Sequence, residues 1–231
     1  MENKNLGNGY EIKYVMDSFN NTLAELVING LPQCVSFTDN RKYLLYDKYS
    51  YYYDTPCIID KIKSTLVLGG GAFTYPKYYI SKYIDKYMDV VELNETLIKE
   101  AYKAFYLNDL YQDYDPERKR LNIINDDCIN YIFFKCNKKY DYIFFDAYIG
   151  YNIVPNIYEN ETIQRLKSLL NENGYLAINY VIQDENKHIE LVKVLKQYFK
   201  YIIEYGIEED KRFRYILMSD KKIKNEDVIS R

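Results

Sequence analysis

LVLGGGAFTYP (66–76) followed by MDVVEL (88–93) decides how this chain reads. An apolar run ends in three consecutive glycines, in a chain that has only nine. Such a run is a buried strand that turns sharply into a helix. Glycine lacks a Cβ, so the turn can be tight and a ligand can lie against the backbone. Gly69 and Gly71 fit the first two positions of G-x-G-x-x-G, whereas the third falls on Thr74, so the dinucleotide fingerprint is broken. No phosphate-binding lysine directly follows the glycines, which excludes a P-loop. Glu92 ends the next strand, 21 positions after Gly71. An acid at that distance is placed to accept hydrogen bonds from the two ribose hydroxyls of a nucleoside. Gly69, Gly70, Gly71 and Glu92 are therefore candidate donor-binding residues.

Outward from this pair, strands and helices alternate. TLVL (65–68), MDVVEL (88–93), LNII (121–124), YIFF (142–145) and YLAINY (175–180) read as strands. Thr74 and Pro76 suggest an N-cap and an early helical proline for a helix to about Lys86. Asn94 caps a helix with Leu97, Ile98, Ala101, Ala104 and Phe105 on one face. A further helix near Glu159–Leu170 stops at Asn173-Gly174. Asp184 caps the next, whose apolar side carries Ile189, Val192, Leu195 and Phe199. YIIEY (201–205) and RYILMS (214–219) form an antiparallel edge hairpin. The alternation predicts an α/β, Rossmann-like, doubly wound and mainly parallel sheet with an antiparallel edge. Before it, LAELVI (23–28), CVSF (34–37) and KYLLY (42–46) predict a small β appendage. The expected division is 1–60 for the appendage and 61–231 for the nucleoside-binding domain.

Acids stand at the C-terminal ends of the later strands, where such sheets bind ligands. Asp126-Asp127 follow the third strand and could meet an adenine amino group. Asp127 could equally cap the CINYIFF segment. Asp146 ends the fourth strand with no helix directly after it, and is the candidate catalytic carboxylate.

Composition narrows the class. Charged residues make up 28% and the net charge is −3, so no global basic field points to nucleic acid. DAYI (146–149) also lacks the (D/N)PP(Y/F) pattern of base-flipping amino-methyltransferases. No apolar run is long enough for a membrane span and no signal-peptide core is visible, so a cytoplasmic protein is expected. The four cysteines show no CxxC pairing and read as reduced thiols. One histidine, His188, makes a His-based zinc site or a Ser-His-Asp triad a poor fit, and no metal is expected.

VLGGGAFTYP, VVEL, INDDCINYI and YDYIFFDAYIG together resemble the spermidine synthase-like branch of the class I methyltransferase fold, over roughly residues 45–180. The resemblance implies a donor of S-adenosylmethionine type, decarboxylated in the family, and an aminopropyl transfer to a diamine. It implies that the glycine loop lies beside the sulfonium, that Glu92 holds the ribose, and that Asp127 rather than Asp126 meets adenine. It places Asp146 as the catalytic aspartate and Tyr51, in DKYSYYYD, as the substrate tyrosine. It also implies a homodimer or larger assembly through the β appendage. Three positions depart from the pattern: Ala72, Ile149 and Tyr53 stand where the family has acids that hold amines. The expected function is thus a transferase acting on a small, non-polyamine acceptor. The alternatives are an aminopropyltransferase with a rearranged amine site using acids such as Asp54 or Glu159, and an inactive binding homologue.

Overall fold

The computed structural model describes residues 2–206 and 210–223. The chain starts with a four-stranded antiparallel sheet: β1 (Lys4–Gly7), β2 (Tyr10–Met16), β3 (Thr22–Ile28) and β4 (Leu31–Phe37), in sequence order. A 3-10 turn at Tyr49–Asp54 and a short helix α1 (Thr55–Ile59) lead into the main unit. This runs β5 (Ser64–Leu68), α2 (Thr74–Lys82), β6 (Tyr87–Glu92), α3 (Glu95–Ala104), α4 (Leu107–Tyr114) and β7 (Leu121–Asn125). A helical turn α5 (Cys128–Asn130) runs on into a π turn at Tyr131–Lys135, followed by β8 (Tyr140–Phe145). The hairpin β9 (Tyr148–Ile149) and β10 (Asn152–Ile153) precedes α6 (Asn160–Ser168), β11 (Leu170–Val181), α7 (Glu185–Tyr198), β12 (Tyr201–Gly206) and β13 (Phe213–Ser219).

The seven main strands lie in the order β12-β13-β11-β8-β5-β6-β7. All neighbours from β11 to β7 are parallel, and β13 is antiparallel to both β11 and β12. The predicted doubly wound sheet with an antiparallel edge is the observed fold. Its central strands are buried on both faces, which is why they read as unbroken apolar runs. Val67 of β5 faces one core with Phe144 and Ala177, while Leu66 and Leu68 face the other with Ile143 and Phe145. The order reverses between β5 and β8, so the crevice opens above their C-terminal ends, at Gly69 and Asp146.

Several elements differ from the sequence reading. KYLLY forms turns rather than a strand, and the appendage is completed by β1 and β2, which were not anticipated. β1 (KNLG) is short and polar and β2 (YEIKYVM) mixes tyrosines with charged residues, so neither has the apolar run that marks β3. Phe73, in the left-handed region at φ 57°, precedes α2, so Thr74 is inside the helix rather than its cap, and the helix ends at Lys82. The helix after Glu159 stops at Ser168; Asn173 (φ 59°) and Gly174 make a bulge inside β11, not a helix stop. On α7 Ile189 is exposed, and Leu191, Leu195 and Phe199 carry the buried side. Asn94 and Asp184 cap α3 and α7 as expected. Residues 207–209 of the final connection lie outside the described residues.

The small sheet is docked on the main unit. Ile12, Ala24 and Leu26 join the core that contains Phe73 and Tyr79. Lys77 of α2 is buried between the two, its Nζ donating to Ser36 Oγ of β4 at 2.8 Å and to the Lys42 carbonyl at 3.0 Å. Burial pushes its ammonium down to about 7.

Candidate functional site

The glycine turn is shaped by what crowds it. Gly69 has φ +102°, and a Cβ there would lie 2.2 Å from the backbone oxygen of Asp146. Only glycine fits, because the C-terminal ends of β5 and β8 converge at this point. Gly71, at φ +51°, packs against Cys34 Sγ of β4, which brings the appendage to the edge of the crevice. Burial, the first cause, pushes the Cys34 thiol up to about 12, and the nearby charges of Asp146, Glu92 and Asp47 add to the shift.

Glu92 lies where its spacing placed it, with its carboxylate turned onto the loop. Oε2 accepts from Gly70 N at 2.9 Å and Gly71 N at 3.0 Å, and Oε1 accepts from Asn94 N at 2.8 Å. Three of the carboxylate's roughly four acceptor sites are thus taken, both of those on Oε2, so the group braces the loop while Oε1 keeps one site for a ribose hydroxyl. The two neighbouring acids have local partners. Asp127 Oδ1 caps α5 by accepting from Asn130 N at 2.8 Å. Asp126 accepts from Asn130 Nδ2 and pairs with Lys135 at 2.6 Å, which holds its carboxyl below the usual range. Asp126 is thus committed to partners within the turn, and Asp127 is the one whose second oxygen has no partner among the described residues.

Asp146 sits above β8 with little solvent around its carboxyl. Desolvation pushes it up to about 7; a hydrogen bond from Asn179 Nδ2 (2.8 Å) opposes this and the charge of Glu92 adds to it. Asn179 Oδ1 in turn accepts from the Tyr49 hydroxyl at 2.9 Å, and the Asn179 carbonyl accepts from Tyr148 at 2.9 Å. A carboxyl poised near neutrality can hold or release a proton at little cost, which suits general-base work. The structure therefore joins Gly69–Gly71, Glu92 and Asp146 around one crevice.

Tyr51 is placed differently. Its ring packs edge-on against Tyr78 and its hydroxyl contacts the Leu45 carbonyl. Tyr49, Tyr53 and Tyr148 are tyrosines that the Asp146 charge reaches. Of the positions lacking family acids, Ala72 is fully buried, Ile149 is exposed, and Tyr53 lies in an aromatic cluster with Phe144 (4.6 Å) and Tyr75 (5.8 Å). The proposed replacement acids are occupied elsewhere. Asp54 is fully buried, pairing with Lys82 at 2.7 Å and accepting from Tyr83 at 2.7 Å, and Glu159 is an exposed residue bonded to Asn156. Sequence reasoning missed Tyr49, Asn179 and Asp47. Asn179 had a readable signal, a polar amide near the C-terminal end of the apolar run YLAINYV. Asp47, just before the 3-10 turn, adds negative charge felt by Cys34, Tyr49 and Tyr53.

A separate cleft of about 380 Å³, lined by Asp60, Asp141, Tyr175 and Lys221 among others, opens at the opposite end of the strands. Parallel sheets do not place their ligands there. Among the described residues, no group of acids, histidines and cysteines suits a metal ion, and no helix is long and apolar enough to cross a membrane.

Comparison with known proteins agrees with this fold. A family model, the spermine/spermidine synthase domain, matches residues 54–208. The polyamine aminopropyltransferase of Prochlorococcus marinus (strain MIT 9312) is 28% identical over 151 residues, which cover 62% of this chain and 50% of that protein. The chain thus spans about half the length of this curated relative. A probable spermidine synthase from Corynebacterium glutamicum superposes with a TM-score of 0.75 at 19% identity, over 93% of this chain and 78% of that one. A spermidine synthase in complex with the transition-state analogue AdoDATO gives 0.66 at 16% identity, over 96% and 72%. Human methyltransferase-like protein 13 in complex with SAH gives 0.60 at 21% identity, over 75% and 81%. At these identities the superpositions establish a shared fold.

Proposed function

The chain belongs to the spermine/spermidine synthase domain family, and on that premise we propose that it is a transferase using S-adenosylmethionine, or its decarboxylated form, on a small non-polyamine acceptor. The observation that carries this reading is an asymmetry in the crevice. The donor side keeps its glycine turn and Glu92, and Asp146 stands between donor and acceptor. The acceptor side has Ala72, Ile149 and Tyr53 where amine-binding acids would be. A polyamine enters with fixed positive charges, and each desolvated ammonium needs an anionic partner. Each unmet charged hydrogen bond costs roughly 1–3 kcal/mol, about a factor of ten to a hundred in rate. Ala72 also removes a charge that would repel the carboxylate of an undecarboxylated donor. The donor's sulfonium is itself a good leaving group, so the protein's task is alignment, with Asp146 taking the acceptor's proton.

A second reading, aminopropyl transfer to a diamine, is favoured by Asp47, an acid beside the 3-10 turn whose negative charge reaches Tyr49 and Tyr53, two tyrosines that the Asp146 charge also reaches. Two measurements decide. Calorimetry with both donors tests the nucleoside site, and binding of neither sinks both readings in favour of an inactive homologue. Product analysis with decarboxylated donor and putrescine tests the acceptor. Efficient transfer by the unmodified protein overturns the first reading and promotes the second. We further propose a homodimer or larger assembly through the N-terminal sheet, whose strand edges need covering; light scattering showing a stable monomer at micromolar concentration counts against it.

A further inference from the structure

We propose that Asn179, its side-chain amide locked by the Tyr49 hydroxyl, is a positioning residue that tethers one carboxylate oxygen of Asp146 and leaves the other unbonded for the acceptor. The inference rests on the reading of Asp146 as the group that takes the acceptor's proton. Three observations carry it. Asn179 Nδ2 donates to Asp146 Oδ1 at 2.8 Å. Tyr49 donates to Asn179 Oδ1 at 2.9 Å. Among the described residues no donor reaches the second oxygen of Asp146.

The chemistry lies in the two-ended nature of the amide. One end only donates and the other only accepts. Turned as it is, Asn179 presents its NH2 to Asp146 and so suits the charged carboxylate. Flipped, it would present its oxygen and suit the protonated acid, with Tyr49 accepting from the NH2 instead. A phenol donates more strongly than it accepts, so the Tyr49 hydroxyl, donating to Oδ1, favours the orientation that turns the NH2 to Asp146. β11 supplies the backbone for this: Asn179 follows Ile178, the partner of Phe145, and so lies beside Asp146 across the parallel pair. The Tyr148 hydroxyl, bonded to the Asn179 carbonyl, fixes the strand at the same residue. Other groups that face Asp146 are anionic or neutral: Glu92 on β6, Cys34 on β4, Tyr49 and Tyr53 on the 3-10 turn, and Tyr148 on β9. None of them stabilises the charged form, so among the described residues Asn179 stands alone in opposing the desolvation that raises the carboxyl.

The test needs neither donor nor acceptor. The protein is labelled with 13C at its aspartate carboxyls, and Asp146→Asn identifies the Asp146 resonance in a pH titration. Asn179→Leu should move the midpoint up by about one to two pH units, as expected for one lost hydrogen bond to a charged group. Tyr49→Phe, which leaves the amide in place but frees it to flip, should move it up by about half a unit. Circular dichroism verifies folding, and Tyr49→Phe carries the test if Asn179→Leu does not fold. A midpoint unchanged in the folded variants overturns the proposal, even if the enzyme turns over. An upward shift supports it, even if no acceptor reacts, in which case the functional reading fails and the positioning role stands.

Discussion

The two sides of the crevice are built from different materials. The donor side is backbone: three glycines, two of them at positive φ, with the Gly70 and Gly71 N–H groups drawn onto Glu92 and that of Gly69 onto the Val91 carbonyl. The acceptor side is side chains: Asp146, Asn179 and a set of tyrosines that reach in from the 3-10 turn and β9. A backbone site tolerates few substitutions, since the space is set by main-chain atoms that cannot move independently. A side-chain site can be refitted one residue at a time. On the proposed reading, this difference explains how a chain can keep a donor turn while Ala72, Ile149 and Tyr53 replace acids on the acceptor wall.

The largest effect expected from this contrast is at Gly69. Gly69→Ala would drive a Cβ to within 2.2 Å of the Asp146 carbonyl oxygen at φ +102°. Neither partner is a flexible side-chain end, so the sheet must part. Denaturant unfolding should show a loss of about 3 kcal/mol or more, combining strained backbone and overpacking. A loss under about 1 kcal/mol would show that the turn yields, and the contrast would fail at its firmest point.

Next comes Glu92. Glu92→Ala removes the acceptor of three loop N–H groups and the proposed ribose partner together. Donor affinity, measured by calorimetry with S-adenosylhomocysteine or methylthioadenosine, should weaken by about 2–4 kcal/mol. Unchanged affinity sinks the ribose assignment.

The same contrast governs what could be read from sequence. Gly69–Gly71 and Glu92 were legible because glycine is scarce here and its clustering has few physical causes. The parallel sheet was legible because strands buried on both faces must be apolar throughout. The acceptor wall was not, because 29 tyrosines leave no single one conspicuous. The resemblance points to Tyr51, and only tertiary placement shows that the hydroxyl reaching Asn179 is that of Tyr49. Likewise β1 and β2 are stabilised by pairing along the sheet rather than by a pattern of their own.

Asp146 sharpens the comparison through pH. Its carboxyl rises from the ordinary range to about 7 on folding, chiefly by desolvation. Between about pH 4 and 7 the folded state therefore binds the extra proton, and stability falls as pH rises through this window. Above pH 7 the cost of the buried charge is fully present. Asp146→Asn should remove it, stabilising the protein at pH 8 by about 2 kcal/mol while leaving stability near pH 4 little changed, and abolishing transfer. Thermal unfolding at the two pH values checks this. Equal effects at both would show that Asp146 is not desolvated.

The smallest expected effect falls at Asp127, where cap and ligand compete for one residue. Its Oδ1 accepts from Asn130 N, the bond of a helix cap. Asn caps as well as Asp, so Asp127→Asn should leave stability within about 0.5 kcal/mol. Its amide, however, replaces an acceptor-only group by one that also carries donors. If the second oxygen meets the adenine amino group, nucleoside affinity should still fall by about 1 kcal/mol, the scale of one hydrogen bond. Asp127→Ala should lose both, with about 1 kcal/mol taken from folding as well. Unfolding and calorimetry on the same two variants separate the roles. Should Asp127→Asn bind nucleoside as tightly as the parent, Asp127 is a cap alone, and the donor side rests entirely on backbone and Glu92.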